Sequence, residues 1–110
     1  MPKFVTIGYG DQAGYDRTPE SVRKEAHAND AKLTSEGALM GTVGTPVQVR
    51  NPDATGIQTT KGPFLTSSLP LAGLAIIDAA NLDEAIAMVS KSPCAVAHGV
   101  IEVWPLVEAK

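Results

Sequence analysis

A single cysteine, Cys94, stands among 110 residues, so no internal disulfide can staple this chain and no pair of thiols can anchor a metal cluster. Aromatic residues are as sparse, with two phenylalanines, two tyrosines and one tryptophan. Basic residues are not in excess: nine Lys and Arg against twelve Asp and Glu leave a net charge of −3. That balance provides no basic stripe for nucleic acid, and none is expected as a partner. No apolar run approaches the ~20 residues that cross a bilayer. The opening MPKFVTIGYG also lacks the shape of a signal peptide, so a cytoplasmic protein without a membrane partner is the expectation. Neither histidine belongs to an HxH or HxxxH pair, and no metal site or cofactor is expected. A phosphate loop is missing, and Gly8-Tyr9-Gly10 has neither the helix start nor the downstream acid of a dinucleotide fingerprint. What remains is an ordinary globular composition, 44% hydrophobic, in one domain over residues 1–110.

The clearest pattern runs from Leu74 to Val107. Leu74 to Asp78 is an apolar run of strand length, Asn81 follows as an N-cap, and Glu84 stands three residues on as its capping-box partner. Leu82, Ala85, Ile86 and Val89 then repeat at helical spacing, so this face should lie on a sheet, and Pro93 should stop the helix. Cys94 reads as a small residue in the turn that follows. The closing strand separates Ala97, Gly99, Ile101 and Val103 from His98, Val100, Glu102 and Trp104. The first set suits packing under a helix, and the second carries a histidine, a carboxylate and an indole.

Upstream, Phe4 to Tyr9 alternates as a first strand and ends in the loop Gly10 to Gly14. Thr18 as N-cap, Pro19 at the first helical position and Gly37 as stop frame a helix whose buried stripe is Val22, Ala26, Asn29 and Leu33. Asn29 therefore needs a hydrogen-bond partner. Ala38 to Val43 is a second strand, and Val47–Arg50 with Ile57–Thr60 flank a turn-rich cluster as a hairpin. The order β-α-β, hairpin insertion, β-α-β predicts an α+β, ferredoxin-like sandwich with helices on one sheet face. The other face would expose Phe4, Val100 and Trp104, and a second copy packed sheet to sheet would cover them. A homodimer is expected.

Three segments carry a family resemblance: Lys3-Phe4-Val5-Thr6-Ile7-Gly8-Tyr9-Gly10-Asp11, Lys61-Gly62-Pro63-Phe64, and the strand-helix-strand unit closing in Gly99-Val100-Ile101-Glu102-Val103-Trp104-Pro105-Leu106. In this order they resemble the YCII-related family, and within it the DGPF-domain branch. The resemblance implies a dimeric α/β barrel of two ferredoxin-like subunits with a cleft near the barrel interior. Some members resemble enzymes of aromatic catabolism that use a histidine and aspartate pair for acid/base work, and others occur beside sigma-factor-like partners. The acid usual before Gly-Pro-Phe is here Lys61, and the arginine usual after Val-Glu-Val is here Trp104.

Two constellations are candidates for chemistry. His98 and Glu102 share a strand face, about 13 Å apart, and could line a cleft as general acid and base; alternatively His98 is a sheet residue and Glu102 pairs with Arg50 or Lys61. On the first helix Arg23, His27, Asp30 and Thr34 form a polar stripe that puts Asp30 within one turn of His27. The same stripe is what a solvated helix face shows, and the dimeric barrel makes the Glu102 face the expected centre. Tyr9, Asp11, Lys61, Phe64 and Trp104 complete the candidate ligand-binding set, with Lys61 facing a developing oxyanion, Trp104 and Phe64 as an apolar wall, and Asp11 equally a turn former. The expected function is binding of a small organic molecule, with cofactor-free proton transfer of the lyase or isomerase kind if the protein is an enzyme. The competing expectation is a non-catalytic accessory module, for example beside a transcription-regulatory partner.

Overall fold

A computed structural model describes residues 1–108. Strands β1 (Lys3–Tyr9), β2 (Leu39–Thr42), β5 (Leu71–Asp78) and β6 (Val100–Pro105) form one antiparallel sheet in the order β2-β5-β1-β6. Helices α1 (Gln12–Arg17) and α2 (Glu20–Ser35) connect β1 to β2, while α3 (Leu82–Val89) and α4 (Pro93–Val96) connect β5 to β6. Each β-α-β half thus inserts a strand of the other half between its own two, which is the expected mixed α+β arrangement. The sheet is open and does not close into a barrel. Between β2 and β5 the chain leaves the sheet as a separate hairpin, β3 (Val47–Arg50) paired with β4 (Gln58–Lys61), joined through a 3-10 turn at Pro52–Ala54. This hairpin explains the elongated outline of 53 × 37 × 20 Å.

Register assigns the faces. Thr6 stands opposite Ala75 and Val103, and Gly8 opposite Gly73 and Ile101, so these residues lie beneath the helices. Phe4, Ala75 and Ile77 from the strands meet Ala85 and Val89 of α3, with Met88, Ile101 and Val103 packed around them. Phe4 is only 4% exposed, so it belongs to this core and not to the uncovered face. The alternation of β1 was legible, but which set faced the helices depended on the pairing with β5. The uncovered face carries Val5, Ile7 and Tyr9 beside Ile76, Leu74, Trp104, Glu102 and Val100. Trp104 and Val100 are both half-exposed there.

Capping explains most element ends. Asn81 Oδ1 accepts from the Glu84 N–H at 2.9 Å and starts α3 as expected. Ala85 and Val89 are buried, but Leu82 and Ile86 are exposed and Met88 takes their place against the core. Helix α2 buries Ala26 and Leu33, and Asn29 Nδ2 donates to the Met88 carbonyl at 3.1 Å, the partner its position demanded. Gly37, at φ 107°, ends α2, and the Ala38 N–H returns to the Leu33 carbonyl in a left-handed stop. Thr18 does not cap α2. It closes α1 instead, its N–H donating to the Tyr15 carbonyl and its hydroxyl to that of Gly14. The expected loop Gly10–Gly14 is the entry to α1, capped by Asp11, whose Oδ1 accepts from the Gly14 N–H at 2.8 Å.

The largest departure follows α3. That helix ends at Val89, and Pro93 opens the short α4 as its first residue. The Gly99 N–H donates to the Cys94 carbonyl at 3.0 Å, which closes α4 in a Schellman turn with His98 at φ 63°. A Cβ at position 99 would collide with the Tyr9 carbonyl oxygen, so only glycine fits there. The closing strand therefore begins at Val100, and Ala97 and His98 precede it.

Candidate active site

A pocket of about 410 Å³ lies between α2 and the sheet. Its floor is made of small strand residues, among them Thr6, Gly8, Gly73 and Ala75, where a larger side chain would fill the space. Its roof comes from α2, through His27, Asp30 and Leu33, and from the turn into α4, through Ser92, Pro93 and Cys94. The cavity exists because a flat, glycine-bearing strip of sheet passes beneath a helix that contributes only a narrow apolar stripe.

Of the polar stripe of α2, Asp30 and the exposed His27 reach this pocket, while Arg23 and Thr34 are not part of its lining. Asp30 is half-buried, and its pKa is raised: desolvation dominates over the pull of the His27 charge and of hydrogen bonding with Ser92. Ser92, buried, and Cys94, half-buried, sit in the same wall. Burial first, and the Asp30 charge second, push the Cys94 thiol up, the direction opposite to that of an activated thiol. At the rim the Tyr15 hydroxyl lies 2.8 Å from His27 Nε2. The two rings are tilted by 56° with centroids 5.9 Å apart, and the Arg23 guanidinium lies 5.0 Å over the Tyr15 ring. Arg23, Tyr15 and His27 thus form a contiguous polar cluster at the rim, and Asp30 and Ser92 lie deeper in the pocket lining.

The other candidates disperse. His98 is exposed in the turn after α4, so it shares no strand face with Glu102. Glu102 lies on the uncovered sheet face, opposite Ile7 and beside Tyr9. The Tyr9 phenol, hydrogen-bonding to that carboxylate, partly desolvated and repelled by its charge, has its pKa raised. Arg50 and Lys61 do not pair with Glu102, since both are on the separate hairpin, where Arg50 donates to Gln48 and stacks over Phe64. Phe64 itself is 75% exposed, Lys61 is exposed, and Asp11 is a helix cap. Trp104 stays on the open face as expected. Sequence reasoning missed Tyr15, Thr6, Ser92 and the lining role of Cys94. For Tyr15 the one available signal was its place three residues before the α1–α2 corner; for the others there was none, because their neighbours are distant in sequence. No group of three or more His, Cys, Asp or Glu side chains that could hold a metal ion occurs among the described residues.

Residues 3–110 match the family described as the YCII-related domain. The chain belongs to the YCII-related family. No curated protein matches this YCII-related chain significantly. No helix among its described residues is long and apolar enough to cross a membrane.

Proposed function

We propose that this YCII-related protein binds a small, largely apolar organic molecule in the pocket under α2 and moves a proton on it, with His27 and Asp30 as the acid/base pair. The observation that supports this is the meeting of His27, Asp30 and Ser92 on one wall of a cavity otherwise floored by Gly8, Gly73 and Ala75. Desolvation raises the Asp30 pKa, the direction that makes a carboxyl useful in proton transfer. Cys94 and Thr6 shape the cavity, and Ser92 is placed to hold the carboxyl.

In the same reading the protein is a homodimer of the DGPF branch. Its uncovered sheet face, bearing Val100, Trp104, Leu74 and Leu39, is covered by the same face of a second copy, which encloses Glu102 and Tyr9 between the subunits.

The test of the acid/base reading is deuterium wash-in from D2O, followed by mass spectrometry, on a panel of enolisable ketones and unsaturated lactones. Exchange by the wild type that falls at least tenfold in both His27→Gln and Asp30→Asn is the expected result. Binding without exchange would favour the non-catalytic module, for which Lys61 and Trp104, replacing an acid and an arginine, are the supporting feature. Exchange unaffected by either substitution would remove the pair from the chemistry.

A further inference from the structure

We infer that Tyr15 is a positioning residue that holds neutral His27 as its Nδ1–H tautomer, with Arg23 biasing the tyrosine toward donation. The contact is direct, 2.8 Å from Tyr15 Oη to His27 Nε2, and it spans the corner between α1 and α2. A phenol can donate or accept there, so the surroundings set the direction. The Arg23 guanidinium lies 5.0 Å over the Tyr15 ring and, among the described residues, pairs with no carboxylate; its Nε is buried without a hydrogen-bond partner. A cation over the ring face draws electron density from it, which strengthens the hydroxyl as a donor and weakens its oxygen as an acceptor. Nε2 is then the accepting nitrogen, and the single proton of the neutral ring resides on Nδ1, which has no hydrogen-bond partner among the described residues. An isolated neutral imidazole side chain prefers the opposite tautomer, so the preference is imposed by the corner.

This inference deepens the acid/base reading of His27, yet it concerns the unliganded protein and is measured without substrate. The experiment is long-range proton–nitrogen correlation NMR on uniformly 15N-labelled protein at a pH where the imidazole is neutral. His98→Gly serves as the background, so that His27 is the one imidazole observed. The expected spectrum shows a protonated, pyrrole-type Nδ1 and an unprotonated, pyridine-type Nε2. In Tyr15→Phe the ratio of Nδ1–H to Nε2–H should fall at least fivefold, and in Arg23→Gln it should fall in the same direction by a smaller factor. An Nε2–H ring in the background protein, or a ratio unchanged in Tyr15→Phe, overturns the inference. Should Tyr15→Phe not fold, a ratio unchanged in Arg23→Gln overturns it equally. Failure of deuterium wash-in would leave the tautomer result standing, so the two readings fail separately.

Discussion

Gly8 of β1 lies directly beneath Cys94 of α4: a Cβ on Gly8 would come within 2.9 Å of Cys94 Sγ and 3.3 Å of its Cβ. The glycine lets the α4 turn settle on the sheet and keeps one end of the pocket open. Gly8→Ala should therefore destabilise the fold by about 1–2 kcal/mol through overpacking. In a Cys94→Ala background the cost should be smaller, because the sulfur that must move is gone. Urea denaturation of the four proteins in this cycle measures the coupling, and a cost independent of residue 94 would contradict the packing relation.

Asp30 links stability to pH. Its folded pKa lies above the unfolded value, so the native state holds this proton more tightly. Relative to a neutral side chain, Asp30 is no burden below the unfolded pKa, and its cost grows as pH rises through the folded pKa. Asp30→Asn should then be more stable than wild type at pH 7, with the difference shrinking to nothing below about pH 4. Thermal melts across this range check the sign, and a variant less stable at neutral pH would reverse it. The same variant should lose deuterium exchange, a gain in stability accompanied by a loss of function.

At position 98 the backbone is left-handed, φ 63°, a conformation that favours glycine. His98→Gly should be more stable than wild type by roughly 0.5–1 kcal/mol and should leave exchange in the pocket unchanged. Loss of exchange in that variant would return His98 to the functional site.

The uncovered sheet face makes its own prediction. Trp104→Glu places a second carboxylate near Glu102 on the same face of β6. Sedimentation equilibrium should give twice the chain mass for the wild type and the chain mass for the variant, with far-ultraviolet circular dichroism unchanged. A monomeric wild type at micromolar concentration would refute the homodimer.

Asn29 anchors α2 to the end of α3 through the Met88 carbonyl. Asn29→Ala should cost about 0.5–1.5 kcal/mol, the net worth of a hydrogen bond at a half-buried carbonyl, and it should loosen the helix that carries His27 and Asp30. Hydrogen exchange of the α2 amides would show this as faster opening than in wild type.

Much of the architecture was legible in the order of residues because it depends on neighbours within a few positions. The cap at Asn81, the stop at Gly37, the stripe Ala26–Leu33 with its polar Asn29, the inserted hairpin and the Ile101/Val103 face of β6 all follow from local spacing and turn chemistry. The same local reading carried β6 back through His98, since period-2 alternation cannot see that Gly99 must pass against the Tyr9 carbonyl and that α4 ends in a left-handed turn. It also put Phe4 on the open face, because alternation separates two sets without saying which one the helices cover. The pocket was beyond its reach altogether. His27 and Asp30 read as the same polar stripe whether or not a cavity lies beside them, and only long-range packing, which sets α2 and the Ser92–Cys94 turn above Gly8 and Ala75, half-buries Asp30 at the cavity, leaves His27 exposed at its rim and raises the carboxyl's pKa.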